Sequence, residues 1–228
     1  MKNLKKNHDD KNGQSLPDPG LESEVGIGAV EPNKTEDQLE RRRALYARFG
    51  YDIDRERQAV IEAAKPLTGR ILEAGTGKGH FAVALARLGY RLVSFDISED
   101  QLKIARENLE RQGLVHLVEL HQENGESLSF ADGSFEMVFS INMIHHLENT
   151  FKVLSELIRV LAPGGKLVIS DFSPEGLAMM AEVYRMEGDE HQVAPLGLED
   201  VKRFLQEEGF EVRVSRTKFQ IILVATRK

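Results

Sequence analysis

The chain contains no cysteine among its 228 residues. That absence excludes disulfide bonds, thiolate metal ligands and cysteine nucleophiles. A long apolar run is also missing, because the longest ones, such as 221–225, are far shorter than the roughly 20 residues of a membrane-spanning helix. The polar N-terminus has no apolar segment of the signal-peptide kind. We therefore expect a cytoplasmic protein that has no membrane partner.

An excess of basic residues is lacking as well. Lysine and arginine number 30 against 37 acidic residues, for a net charge of −7. This balance argues against a broad surface for nucleic acid. Nine of the acids and only five lysines fall within the first 40 residues, so the rest of the chain is close to neutral. Charge therefore disfavours a nucleic-acid partner and leaves the oligomeric state open.

From residue 70 onward, short apolar segments alternate with amphipathic ones in the order strand, helix, strand. This alternation is typical of parallel βαβ units covered by helices on both faces. Strands are predicted at 70–74, 91–95, 115–120, 135–140 and 166–170, and helices at 79–88, 98–113, 150–161 and 198–208. Segments 210–215 and 219–226 predict an antiparallel hairpin at the sheet edge. We predict an α/β fold, a Rossmann-like, doubly wound, mostly parallel seven-stranded sheet with a C-terminal antiparallel hairpin.

Three regions are expected along the chain. Residues 1–35 show no hydrophobic periodicity and predict a disordered polar tail. Residues 36–66 predict an N-terminal helical lid of two helices, with Asp54 as the N-cap of the second. Residues 67–228 carry the alternating pattern and predict the domain that holds the functional site.

A glycine-rich turn follows the first strand of that domain. The sequence ILEAGTGKG at 71–79 reads as a strand that ends in an acid, followed by glycines at alternate positions before a helix. Such glycines allow positive φ and let a ligand lie against bare backbone beside a helix N-terminus. Asp96 ends the second strand, 21 residues after Gly75. A carboxylate at that position can accept hydrogen bonds from both hydroxyls of a ribose, so we predict a nucleoside-containing ligand.

The spacing of this turn narrows the choice of ligand. A dinucleotide fingerprint requires a third glycine where His80 stands, and a P-loop requires Ser or Thr where Gly79 stands. The carboxylate of Glu73 would repel a phosphate and suits a ligand with an ammonium group. S-adenosylmethionine has a ribose and an ammonium group and no phosphate, so it fits the pattern best.

Five sequence blocks occur in order downstream of the first strand. They are Glu73–Gly79, Ser94–Ser98, Glu126–Val138, His145–Leu147 and Arg159–Gly165. On these blocks the chain resembles the class I S-adenosylmethionine-dependent methyltransferases, in particular the small-molecule group of type 11, over about residues 70–171. The resemblance implies S-adenosylmethionine as cofactor, S-adenosylhomocysteine as product and a small organic molecule as methyl acceptor.

The resemblance also assigns twelve positions to the cofactor site. These are Tyr51, Glu73, Gly75, Thr76, Gly77, Gly79, Asp96, Ile97, Asn124, Gly125, Ile141 and Asn142. It implies that Asp96 holds the ribose, that Ile97 packs on the adenine and that Tyr51 belongs to a lid over the cofactor. Asn124 stands where the family usually has an acid, and its amide oxygen can still accept a hydrogen bond from the adenine amino group.

Methyl transfer from a sulfonium is an in-line displacement that depends chiefly on alignment, so a protein base is optional. His146 is the predicted proton acceptor, because imidazole titrates near neutral pH. Alternatively, His145 and His146 only close a strand-to-helix turn. A metal site is not expected, because adjacent side chains diverge and no third ligand is near. The other base candidates are Glu187, Asp189 and His191.

Two alternative functions are considered for the same residues. One alternative, which stays open, is a protein that retains the cofactor as a ligand or sensor without methyl transfer. The other, an NAD(P)-dependent oxidoreductase, is disfavoured by the misplaced third glycine.

The absence of cysteine excludes methylation of pyrimidine carbon-5 and of arsenite. The sequence SINM at 140–143 disfavours methylation of adenine or glutamine nitrogen. Within 172–197, Met179, Met180, Tyr184 and Met186 are expected to pack a helix rather than line a substrate pocket.

Overall fold

The computed structural model describes residues 34–188 and 196–227. The predicted tail 1–35 lies outside the described residues, except for its last two positions. The base candidates Asp189 and His191 also lie outside them. The helices are α1 (Lys34–Arg48), α2 (Ile53–Ala64), α3 (His80–Arg87), α4 (Glu99–Arg111), α5 (Thr150–Val160), α6 (Pro174–Glu187) and α7 (Leu198–Glu207). The strands are β1 (Ile71–Ala74), β2 (Leu92–Asp96), β3 (Val118–Gln122), β4 (Phe135–Ile141), β5 (Leu161–Phe172), β6 (Phe210–Arg216) and β7 (Gln220–Arg227).

The strands form one seven-stranded sheet in the order β3-β2-β1-β4-β5-β7-β6. Strands β1 to β5 are parallel, and β7 runs antiparallel to both β5 and β6. The predicted fold class and its C-terminal hairpin are confirmed. Strand order reverses between β1 and β4, and in open α/β sheets a crevice forms at the carboxyl ends of strands at such a point.

Helices cover both faces of the sheet. One buried apolar cluster joins α5 and α7 to the sheet through Leu154, Leu157 and Leu205. The cluster on the other face contains Ile61 from α2 and Phe81 from α3. Helix α2 is therefore part of the layered core, whereas the sequence pattern placed it in a lid. The domain boundaries given above stay a prediction.

A third, smaller cluster lies between α1, α6 and the start of β7. Its buried members are Tyr46, Tyr51, Phe172, Met179, Met180, Val183 and Phe219. The bidentate ion pair from Arg42 to Glu187, with Nη2 and Oε2 2.6 Å apart, joins α1 to α6 at its edge. Met179 and Met180 thus pack a helix as expected, but Met186 is exposed.

Several boundaries differ from the predicted ones. The N-cap of α2 is Asp52 instead of Asp54, and its Oδ1 accepts from the amides of Asp54 and Arg55. The predicted third strand starts late, because residues 115–117 form a 3₁₀ turn. Helix α5 ends before the Pro-Gly-Gly sequence, since Leu161 is already extended and pairs with Phe135 of β4. Among the described residues, no helix is long and apolar enough to cross a bilayer.

Candidate active site

A cavity of about 560 Å³ opens at the carboxyl ends of β1, β2 and β4. It brings together eleven of the residues predicted for the site. They are Glu73, Gly75, Thr76, Gly77, Asp96, Ile97, Asn124, Gly125, Ile141, Asn142 and His146. The edge position follows from the parallel sheet, because all three strands deliver their following residues to the same end.

The carboxylate of Asp96 is held by two main-chain amides. Gly77 donates to Oδ2 over 2.8 Å and Ser98 donates to Oδ1 over 2.9 Å. Each carboxylate oxygen can accept more than one hydrogen bond, so both oxygens retain capacity for a ligand hydroxyl. Ile97, the next residue, is 66% exposed at the cavity rim and offers an apolar surface beside that carboxylate.

A buried polar chain supports the loop that follows β1. The hydroxyl of Ser94 donates to Oε2 of Glu73 over 2.6 Å, and Thr76 and Ser94 share a second hydrogen bond of 2.6 Å. Burial raises the pKa of Glu73 to about 8, and the hydrogen bond from Ser94 only partly offsets this effect. Glu73 is therefore largely protonated at neutral pH and acts first as an anchor of the loop.

The two adjacent histidines occupy different environments. His145 is buried, and its Nδ1 lies 2.6 Å from Oδ1 of Asp171, while its main-chain amide donates to Oδ2 over 3.0 Å. His146 is exposed and lines the cavity, with its ring centroid 3.9 Å from that of His145. Asp171 thus orients His145, and the His145 ring contacts His146 at an interplanar angle of 48°.

Two of the predicted cofactor residues do not line the cavity. Tyr51 is buried in the third cluster, where its ring makes edge-to-face contacts with Tyr46 and Phe219. Gly79 lies where the loop packs against α4, and an added Cβ would be 2.9 Å from the Cβ of Ala105 on that helix. The glycine is needed there for close packing of the loop on α4 at a φ of +76°.

A group of basic residues on the cavity wall is not evident from the sequence. Arg57 comes from α2, and Lys78 and His80 come from the loop and the start of α3. Burial, together with the positive charges of Arg57, Lys78 and Arg43, lowers the pKa of His80 to about 3. His80 is therefore neutral at pH 7. Arg57 reaches the cavity only because α2 packs beside α3, and no local motif signals that contact.

Charge is thus divided along the cavity. Asp96, Glu123 and Glu126 line it near the ends of β2 and β3, whereas Arg57 and Lys78 line it beside α2 and α3. Such a cavity suits an elongated ligand with hydroxyl groups at one end and a carboxylate at the other. Among the described residues, no group of three or more histidine and acidic side chains is arranged to hold a metal ion.

Comparison with known proteins agrees with this geometry. A family model described as a methyltransferase domain matches residues 72–169. A demethylmenaquinone methyltransferase from Thermus thermophilus is 36% identical over 140 residues, which are 60% of this chain and 63% of that protein. An O-methyltransferase from Aspergillus nomiae is 30% identical over an alignment of 191 residues. The alignment covers 74% of this chain and 82% of that protein. The chain spans less than two thirds of the first of these relatives.

Solved structures share the fold. The crystal structure of an S-adenosylmethionine-dependent methyltransferase from Aquifex aeolicus superposes with a TM-score of 0.61 at 22% identity, covering 78% of this chain and 94% of that one. At that identity the likeness concerns the fold alone. The sheet order, the cavity at the ends of β1, β2 and β4 and the matched relatives lead to one assignment. The chain belongs to the class I S-adenosylmethionine-dependent methyltransferases.

Proposed function

We propose that this protein transfers a methyl group from S-adenosylmethionine to a small organic molecule bound in the same cavity. The observation that carries the proposal is the carboxylate of Asp96, oriented by two main-chain amides at the wall of a cavity that also contains Arg57. One matched relative is named as a demethylmenaquinone methyltransferase, which supports a small organic acceptor, and another is named as an O-methyltransferase.

The residues present fit the chemical groups of S-adenosylmethionine. Asp96 would accept hydrogen bonds from the ribose hydroxyls, and the exposed side chain of Ile97 would be covered by the adenine. Arg57, whose side chain is 17% exposed, would pair with the carboxylate of the methionyl group. Asn124 and Gly125 line the adenosine end, and Gly125 already lies against Val153.

When bound, the cofactor supplies an electrophilic methyl group on a sulfonium. The protein's contribution is then alignment of the acceptor with that group and exclusion of water from the cavity. Met143, Leu147 and Val153 give the wall an apolar part, and Met143 lies directly against Gly75 of the glycine loop. These side chains favour an acceptor with substantial apolar surface.

His146 is the group we propose as proton acceptor. Its ring lines the cavity and contacts the ring of His145, which Asp171 holds through Nδ1 and the main-chain amide. A neutral imidazole in this place can take the proton that an oxygen or carbon acceptor loses during transfer. Glu187 is remote from the cavity wall and is paired with Arg42, so it does not serve this role.

Calorimetry and label transfer test the proposal. The purified protein is expected to bind S-adenosylmethionine and S-adenosylhomocysteine, with no binding of NAD or NADP. Incubation with methyl-labelled S-adenosylmethionine and a metabolite extract is expected to yield a labelled small molecule. Binding of the cofactor without any transfer would favour the sensor interpretation, and binding of NADP alone would favour an oxidoreductase.

A further inference from the structure

Asn142 has an unusual backbone conformation for a residue on the cavity wall. It follows β4 with a φ of +52°, and it is the only residue other than glycine with a positive φ in the part of the chain that the structure describes. A left-handed conformation outside glycine costs free energy and persists where the surroundings hold it in place. The contacts of Asn142 therefore indicate what that conformation achieves.

Two hydrogen bonds hold Asn142. Its main-chain amide donates to the carbonyl of Ser170 over 2.8 Å, and its side-chain Oδ1 accepts from Nε2 of Gln220 over 2.8 Å. Gln220 is itself only 2% exposed, and its Oε1 accepts from the hydroxyl of Ser170 over 2.6 Å. Gln220 is thus held by Ser170, which does not line the cavity.

This arrangement decides which end of the Asn142 amide is available. Because Gln220 captures Oδ1, the amide nitrogen Nδ2 is the end that can face the cavity. An asparagine nitrogen has two hydrogens to donate and cannot accept a hydrogen bond. The cavity therefore presents a donor at this point of its wall, next to Met143 and close in sequence to His146.

We propose that Nδ2 of Asn142 donates a hydrogen bond to an oxygen of the methyl acceptor, and that Gln220 is the positioning residue that orients this amide. The inference rests on the proposed function. It narrows the acceptor to molecules with a carbonyl oxygen or an ionised hydroxyl beside the methylated atom, such as phenolates, enolates and hydroquinones. Asn142, which the sequence predicted to belong to the cofactor site, is reassigned here to the acceptor. Asp96 and Arg57 already provide for the hydroxyl and carboxylate groups of the cofactor, and its ammonium group cannot accept a hydrogen bond from Nδ2.

Variants of the two residues separate orientation from packing. Gln220→Met keeps the volume and removes the donor, and Asn142→Gly removes the amide while it relaxes the positive φ. Each is expected to raise the KM for the labelled acceptor about tenfold, the value of one hydrogen bond to an oxygen. In Gln220→Met, the Kd for S-adenosylhomocysteine should change less than about twofold, because Gln220 does not line the cavity.

The double variant Gln220→Met/Asn142→Gly tests whether Gln220 acts through Asn142. Its KM is expected to match that of Asn142→Gly alone, whereas a purely structural effect of Gln220 would add to it. Gln206→Met, the same change at an exposed site on α7, is the matched control. Additive effects, or an acceptor that has no oxygen beside the methylated atom, would overturn the inference and leave methyl transfer intact. Cofactor binding with no transfer to any acceptor would overturn the proposed function itself, and the inference with it.

Discussion

The main-chain amide of Gly77 donates a hydrogen bond to Oδ2 of Asp96 over 2.8 Å and thereby joins the loop after β1 to the end of β2. The loop is anchored on its other side as well, since Asn108 of α4 donates to the carbonyl of Lys78 over 2.7 Å. The glycine turn and the acid, 19 residues apart, are therefore one structural unit. Changes on either side of this hydrogen bond should affect the same binding event.

Asp96→Asn tests the ribose contact. The asparagine amide keeps one acceptor oxygen, but its NH2 group would face main-chain amides or ribose hydroxyls that also donate hydrogen bonds. We therefore expect the affinity for S-adenosylhomocysteine to fall about 100-fold. Asp100→Asn, an exposed position in the first turn of α4, is the control and should bind normally. Isothermal titration calorimetry gives both values. Unchanged affinity in Asp96→Asn would show that the ribose site is assigned wrongly.

Arg57→Gln tests the carboxylate contact. We expect the affinity for S-adenosylhomocysteine to fall at least about tenfold, the value of a charge-assisted pair. The affinity for 5′-methylthioadenosine, which lacks the carboxylate, should change little. Arg55→Gln, exposed on the same helix, controls for loss of positive charge. Equal losses for the two ligands would place Arg57 away from the carboxylate.

His146→Gln tests the proton acceptor. We expect kcat to fall about 100-fold with the Kd for S-adenosylhomocysteine unchanged, because a positioned base contributes to the chemical step and not to cofactor binding. His116→Gln, an exposed site before β3, is the control. An unchanged kcat in His146→Gln would remove His146 from the mechanism.

Glu73→Gln tests the buried carboxyl. Burial raises its pKa to about 8 in the folded protein, whereas an unfolded glutamate titrates near about 4.3. The folded state therefore holds this proton more tightly, and the wild type loses stability as pH rises from about 4.3 to about 8. Glutamine does not ionise, so the variant should gain stability relative to the wild type across that window. Urea unfolding at pH 5 and pH 8.5 measures the difference, with the exposed Glu119→Gln as control.

Gly79→Ala and Gly77→Ala form a matched pair. Both glycines have positive φ, but an added Cβ meets Ala105 at 2.9 Å only at Gly79 and meets nothing within 4 Å at Gly77. We expect Gly77→Ala to lower the free energy of unfolding by about 1 kcal/mol and Gly79→Ala by about 2–4 kcal/mol. Equal losses would show that backbone strain alone explains both sites.

Much of the site was accessible from the sequence because it follows strands that are recognisable locally. The glycine turn, Asp96 and Ile141 each come within two residues of a strand end, and parallel strands deliver such positions to one edge. The boundary errors arise where other interactions compete with helix or strand propensity. Leu161, for example, leaves its helix early to pair with Phe135, which is a non-local partner.

Tyr51 and Gln220 show what the sequence pattern does not contain. Tyr51 precedes the first strand as a lid residue would, yet the nearby Tyr46 and two aromatic residues from distant segments, Phe172 and Phe219, bury its ring. Gln220 begins a strand that reads as a sheet edge hairpin, yet it reaches an asparagine 78 residues earlier. Neither contact has a periodicity or a spacing that a local pattern could reveal.

The sequence by itself determined the type and order of the elements and the sheet edge where the cavity opens, because hydrophobic periodicity and turn glycines act over a few neighbouring residues. Its five motif blocks carried the resemblance to the family. Only the tertiary structure decided which side chains meet in the cavity. It brought Arg57 to the site through the packing of α2 and left Gly79 behind it against α4. It also turned the amide of Asn142 through Gln220. Such contacts depend on the packing of elements far apart in the chain, and packing is a property of the whole fold.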